Sequence, residues 1–298
     1  MNITAEAVRQ LRERTGAGMM ECKRALVETK GDLDAAAELM RRQGLAKADK
    51  KATRIAAEGV VVAVKSADAR TAAMVEVNCE TDFVARGEEF SAFARSVADS
   101  VLSERPATLA ALAELRPGGG ETLEERRRGL VAKVGENISI RRFSVLSSPE
   151  HLGVYVHGTR IGALVALKGG SVELARDLAM HVSWSNPRYL SPAHVPAEVV
   201  AKERAILTEQ AQAEGKPPEI VAKMVEGRLR KALSEMTLTG QPFVKDAEVT
   251  IEKLLKGAGA QVVACERFEV GAGIEKKTED FVAGVMAQVK GADGPVRH

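Results

Sequence analysis

The 298-residue sequence predicts an α+β fold in which a small helical module precedes a core built twice over. Three observations lead there. The first fifty residues carry helical periodicity with turn and cap signals. From Gly59 the apolar period changes to that of strands, and the order strand, strand, helix, strand then occurs twice. Two charged helical stretches sit inside the second occurrence only. The chain divides accordingly into residues 1–54, 55–147, 148–277 and 278–298, with a helical insertion near 190–236.

Thr4 suits the cap of a first helix with Val8 and Leu11 on one face. Thr15-Gly16-Ala17-Gly18 breaks it, and a second helix follows through Met19, Cys22, Leu26 and Val27. Gly31 suits a left-handed position, and Asp32 can cap a third helix that buries Leu33, Ala36, Leu39 and Met40. Three short helices enclose little apolar volume, so this bundle needs a neighbour to lean on. The basic run Arg41–Lys51 reads as a solvated connector, since runs this short are usually linker or helix surface; contact with nucleic acid is its alternative reading.

In the first core half, Gly59–Val64 and Met74–Val77 read as strands about a turn at Ser66–Arg70. Phe90, Phe93, Val97 and Val101 mark the inner stripe of an amphipathic helix. Pro117-Gly118-Gly119-Gly120 is a loop, and Thr122 with Glu125 makes a capping box that opens another helix. Ile138–Leu146 alternates as a strand. The second half repeats the order: strands at Gly153–Val156 and Ile161–Leu167, a helix through Leu174, Leu178 and Val182, another through Ile251, Leu254 and Leu255, and a closing strand at Gln261–Val270. Gly59-Val60-x-Val62 matches Gly153-Val154-x-Val156 at an offset of 94, and Arg142-Phe143-x-Val145 matches Arg267-Phe268-x-Val270 at an offset of 125. Mixed or antiparallel sheets are expected in both copies.

The 31 surplus residues of the second copy fit Ala197–Ala213 and Glu219–Met236, joined by a Gly215-Lys216-Pro217-Pro218 turn. Val199, Ile206 and Leu207 on the first stretch and Val221, Met224, Val225, Leu229 and Leu233 on the second predict an antiparallel coiled-coil hairpin. A final helix capped by Thr278 would present Phe281, Val282, Val285 and Met286.

Composition narrows the function. With 43 Lys and Arg against 41 Asp and Glu, the chain lacks the field of a dedicated nucleic-acid binder. Seven Phe, two Tyr and one Trp leave few platforms for stacking bases. Cys22, Cys79 and Cys265 are odd in number and far apart, which supports neither disulfides nor a zinc site. No apolar run approaches a membrane span, and the helical pattern that starts at Thr4 leaves no room for a signal peptide, so a cytoplasmic protein is expected. Phosphate-binding, dinucleotide-binding, zinc-protease and hydrolase motifs are all missing. His151, His157, His181, His194 and His298 show no ligand spacing, and His181 reads as a structural histidine of a core helix. No cofactor, metal or small-molecule substrate is therefore expected.

One segment carries unusual content. Val75–Ala85 runs from a strand into Cys79-Glu80-Thr81-Asp82-Phe83-Val84 before the Phe90 helix. Asp82 can be a cap with Phe83 tucked into the core as a staple, and periodicity by itself favours that reading. Alternatively Phe83 stands exposed at a loop tip as an anchor for a partner's pocket. An RNA-associated adaptor using Arg41–Lys51, or an enzyme assembled from distant residues, would be rival functions.

At these residues the sequence resembles the bacterial elongation factor Ts family, the guanine-nucleotide exchange factors of elongation factor Tu. Leu11–Lys23 and Glu76–Val84 carry the likeness most specifically. His157-Gly158-x-Arg160-Ile161-Gly162, Ala179-Met180-His181-Val182 and Leu238-Thr239-Gly240-Gln241-Pro242-Phe243 follow in the family's order, while Trp184-Ser185 departs from the small residues expected there.

The resemblance implies a ubiquitin-associated-like (UBA-like) N-terminal module, a pseudo-repeated core, the inserted hairpin and a C-terminal helix. It implies a non-catalytic exchange factor whose partner is elongation factor Tu, with no direct nucleic acid and no membrane. Thr81, Asp82, Phe83 and Val84 are the implied partner-binding residues, with Phe83 as the wedge. Arg12, Met19, Met20, His157, Gly158 and Ile161 are implied as further partner contacts.

Overall fold

Thr4 caps the first helix as its position suggests. In the computed structural model, which describes residues 3–275, its hydroxyl accepts the Ala7 N–H at 3.2 Å and α1 runs Ala5–Thr15. Gly16, in the left-handed region at φ 66°, ends it. Helices α2 (Met19–Glu28) and α3 (Leu33–Lys51) complete the module, and Asp32 caps α3 by accepting the N–H groups of Asp34 and Ala35, each at 2.9 Å. Val8, Leu11, Cys22, Leu26 and Ala36 form its small core.

The basic run expected as a solvated connector is instead the C-terminal part of α3, helical as far as Lys51. The helix continues because it has a surface to lie on. The chain at buried Gly44 passes so close to the core that a Cβ there would stand 3.1 Å from that of Ala132, and Arg41 pairs with Glu125 at 3.4 Å. Docking supplies the support that a three-helix core of this size lacks.

Beyond the module come β1 (Glu58–Lys65) and β2 (Thr71–Cys79), then α4 (Asp82–Ala85), α5 (Glu88–Glu104), α6 (Leu109–Ala113), α7 (Leu123–Val134) and β3 (Ser139–Ser147). The capping box of Thr122 and Glu125 opens α7. The second half runs β4 (His151–His157), β5 (Ile161–Lys168), α8 (Val172–Ser185), α9 (Ala197–Ala213), α10 (Pro218–Met236), β6 (Pro242–Phe243), β7 (Asp246–Thr250), α11 (Ile251–Gly257) and β8 (Gln261–Glu269). The sheets are ordered β1-β2-β3 and β4-β5-β8, every pairing between these strands is antiparallel, and β6-β7 forms a separate small antiparallel ribbon. Each copy has one bulge between its second and third strands, at Glu76/Val77 and at Ala166/Leu167.

The two sheets stack on each other. Val61, Ala72 and Met74 of the first meet Leu152, Leu164, Ala166 and Phe268 of the second. Gly162 permits the approach, since a Cβ there would come within 2.6 Å of Val61 Cγ1 and 2.7 Å of Met74 Sδ. On its outer face the first sheet packs Val75 and Val77 against Phe90, Phe93, Val97 and Val101 of α5. The second packs Val165 and Leu167 against Leu178 and Val182 of α8. The result is four layers, helix, sheet, sheet, helix. Covered on both faces, β2 is buried along its whole length and carries even Glu76 and Asn78 into the interior.

The insertion is a helical hairpin. Helices α9 and α10 meet through Leu207, Ala211, Val221 and Val225, with ion pairs Glu214–Arg228 (2.6 Å) and Arg204–Glu226 across them. Ile206, expected on the inner stripe, is exposed. Among the described residues no helix is long and apolar enough to cross a membrane. The helix expected from Thr278 lies outside the described residues.

Candidate functional site

The chain leaves β2 at Cys79 and turns through Glu80 into the single-turn α4. Thr81, with extended φ −123° and ψ 156°, is the cap: its Oγ1 accepts the Val84 N–H at 3.4 Å. Asp82 is not the cap. It occupies the first helical position, where negative charge suits the helix dipole, and its Oδ2 pairs with Arg86 at 2.9 Å. Ala85 is buried and Val84 packs on the first core, so α4 has its inward side filled by these two. At about 100° per residue Phe83 lies on the opposite side of Ala85. It is 83 % exposed, which overturns its reading as a buried staple.

What fixes this turn comes from the far end of α7. Gly135, left-handed at φ 84°, ends that helix and turns the chain so that Glu136 reaches back. Glu136 Oε2 accepts the N–H groups of Glu80 (3.1 Å) and Thr81 (3.0 Å), and its Oε1 accepts the Thr81 hydroxyl at 2.6 Å. In return Glu80 Oε1 accepts the Asn137 N–H at 2.6 Å and lies 3.5 Å from Arg54. The Asn137 amide donates to the carbonyls of Arg54 (2.8 Å) and Ala52 (3.3 Å), tying the clasp to the chain just beyond α3. Sequence reasoning missed Glu136 and Asn137. The only local signal was Gly135 after the capping-box helix, and nothing local shows a contact spanning 55 positions.

Burial pushes the Cys79 thiol up to about 12, with the charges of Glu136 and Glu58 adding to it. Its Sγ–H donates to the Thr81 carbonyl at 3.1 Å, so this cysteine is a fixed donor under the turn rather than a nucleophile. Three residues earlier, Glu76 is wholly buried. Burial opposes its ionisation, but the Gly271 N–H, Arg141, Asn78 and Arg142 together outweigh burial and hold its carboxyl below the ordinary value.

The remaining sequence-predicted residues fall in two places. Arg12 on α1 and Met19 and Met20 on α2 are exposed on the N-terminal helices. His157 and Gly158 are exposed on the β4–β5 turn, and Ile161 beside them is half-buried. That turn reaches the first half: the Thr159 carbonyl accepts the Val61 N–H at 2.7 Å, and Arg160 pairs with Glu58 at 2.6 Å. Glu58 is the β1 partner of Cys79, so the fold brings the His157–Arg160 turn beside the strand end that leads into Thr81.

His181 is structural, as its core helix suggested. Its Nδ1 accepts the Val244 N–H at 3.2 Å, so Nε2 carries the proton and donates to Gln241 Oε1 at 2.9 Å. Trp184, which departs from the expected small residue, is 80 % exposed at the end of α8. A groove of about 1140 Å³ between the N-terminal helices and α5 and α7 is lined by charges of both signs, among them Arg24, Glu38, Glu89 and Arg126. Among the described residues no group of three or more His, Cys, Asp or Glu is placed to hold a metal ion.

Residues 80–272 match a family model described as Elongation factor TS. Over nearly its full length the chain is similar to curated proteins of that name. It is 58 % identical to Elongation factor Ts of Thioalkalivibrio sulfidiphilus, over 98 % of this chain and 100 % of that protein. The identity is 56 % to that of Methylococcus capsulatus (97 % and 99 %) and 52 % to that of Legionella pneumophila strain Paris (97 % and 99 %).

Proposed function

The chain belongs to the elongation factor Ts family, and we propose that it is a non-catalytic guanine-nucleotide exchange factor for elongation factor Tu, acting in the cytoplasm during translation elongation. The observation that carries this reading is Phe83. It is a large apolar side chain 83 % exposed on a one-turn helix whose cap Thr81, and Glu80 before it, give Glu136 three hydrogen bonds. Aromatic side chains, Phe among them, are enriched in the cores of protein–protein interfaces. In this reading Phe83 wedges into the partner's GTPase domain beside its Mg²⁺ and phosphate site, Asp82 bonds the partner or holds the turn, and Thr81 and Val84 shape it.

The further contacts follow the same division. The N-terminal module, which we take to be UBA-like, grips the GTPase domain through Arg12, Met19 and Met20, together with the C-terminal segment 278–298. The second half, residues 148–277 with its coiled-coil insertion, reaches another domain of the partner through His157, Gly158 and Ile161.

Exchange is then a coupling between two ligands of one GTPase. The nucleotide is held through backbone N–H groups, a lysine and Mg²⁺, and a wedge that displaces part of this set removes several kcal/mol. Each 1.4 kcal/mol is about tenfold in affinity. The coupling is reciprocal, so bound nucleotide weakens the factor by the same ratio that the factor weakens nucleotide. No covalent bond is made or broken, and the reading asks for no catalytic group, cofactor or small-molecule substrate.

Stopped-flow release of a fluorescent GDP from elongation factor Tu tests it. Phe83→Ala should slow release by about tenfold or more, and Asp82→Ala by less, with both variants folded. Unchanged release with both would overturn the wedge.

A further inference from the structure

We infer that Glu136 is a positioning residue for exchange: it sets the height and direction of Phe83 without touching the partner. The inference rests on the exchange reading of Phe83 and adds to it the group that makes the wedge rigid.

The geometry assigns the role. A one-turn helix makes few hydrogen bonds of its own and cannot hold its shape in isolation. The Thr81 hydroxyl has one proton and must use it on one partner. Glu136 Oε1 takes that proton at 2.6 Å, which leaves an oxygen lone pair to face the Val84 N–H and cap α4. Glu136 Oε2 takes the two successive N–H groups of Glu80 and Thr81, the backbone just before the turn. One carboxylate therefore fixes both the entry of the chain and the rotamer of its cap. Charge-assisted bonds of this kind are about twice as strong as neutral ones.

The clasp also has a fixed base. Glu136 sits between Gly135, which ends α7, and Asn137, which is buried and bonded to Glu80, Arg54 and Ala52. Half-buried itself, Glu136 makes its contacts inward to residues 80 and 81, away from the exposed Phe83 ring. A residue so placed acts through the turn Thr81–Val84, and chiefly through Phe83, rather than by contact of its own.

The test uses the full chain with elongation factor Tu carrying fluorescent GDP, and reads the maximal release rate at saturating factor, the half-saturating concentration and the melting temperature of the free chain. Glu136→Ala should lower the maximal rate by about tenfold, while the free chain stays folded. Amide exchange at Glu80 and Thr81 should rise in the same variant. Glu136→Gln keeps one acceptor oxygen and should give an intermediate rate; it carries the test if the alanine variant fails to fold. In a Phe83→Ala background, Glu136→Ala should add little, no more than Asp82→Ala adds there. A full further slowing in that background, or an unchanged rate in the folded single variants while Phe83→Ala is slow, would overturn the positioning role alone. Unchanged release with Phe83→Ala itself would instead overturn the exchange reading, and the positioning role with it.

Discussion

The Glu76 carboxylate accepts the backbone N–H of Gly271 at 2.8 Å, joining the central strand of the first half to the segment that follows the last strand of the second. Gly271 is left-handed at φ 73°, and a Cβ there would stand 2.3 Å from the Ala57 carbonyl oxygen. Arg142 strengthens the same joint. It bonds Glu76 at 2.6 Å, donates to the Glu269 carbonyl at 3.1 Å and lies 4.4 Å over the Phe268 ring. The two halves are thus held by one buried anion as well as by apolar packing.

Removing that anion should be costly. Glu76→Ala strands Arg141, Arg142 and the Gly271 N–H, and should lower stability by roughly 3 kcal/mol in urea unfolding. The pH dependence has a definite sign. A carboxyl held below its ordinary value stabilises the fold above the unfolded-state value of 4.5, and that contribution is lost as pH falls through the lower folded-state value. Acid unfolding of the parent should therefore be steeper below pH 4.5 than that of Glu76→Gln.

Two glycines should respond in opposite directions to alanine. At Gly153 a Cβ would fall 1.9 Å from the Ala175 carbonyl, where α8 crosses β4, so Gly153→Ala must push the helix off the sheet and should cost about 3 kcal/mol or prevent folding. Gly227 lies exposed inside α10 with nothing within 4 Å. There Gly227→Ala should stabilise by about 0.5–1 kcal/mol through helix propensity. Thermal melts of the two variants check both signs.

His181 should make the second half sensitive to mild acid. Burial holds its pKa below the ordinary 6.5, against the opposing pull of Gln241. A histidine with a lowered folded-state value stabilises the fold above 6.5, and the unfolded state gains protons first as pH falls below it. Protonation also turns Nδ1 into a donor facing the Val244 N–H. Melting temperature should fall between pH 7 and pH 5 in the parent, and part of that slope should vanish in His181→Phe.

Much of the architecture was legible because it is written in local periodicity. The anchors at Gly59 and Gly153, and at Arg142 and Arg267, fall on corresponding strands of the two sheets, and the two stretches expected as a hairpin are helices α9 and α10. Short elements were less visible. Helices α4 and α6 and the β6-β7 ribbon are too brief to show a period. The segment Arg41–Lys51 misled for a different reason. Charge by itself does not show that Arg41 and Gly44 meet α7, more than eighty positions away in the chain.

By itself the sequence determined the α+β class and the strand order of the two halves, and it pointed to a helical hairpin and to Thr81–Val84. It left Phe83 between two opposite fates, and periodicity by itself favoured the buried one. Only the tertiary structure decided. Val84 and Ala85 fill the inward side of α4, and Glu136 holds the Thr81 cap, so Phe83 is left facing solvent. The physical reason is distance along the chain. A one-turn helix has too few bonds of its own to fix where its side chains point, and the groups that fix it come from another helix end.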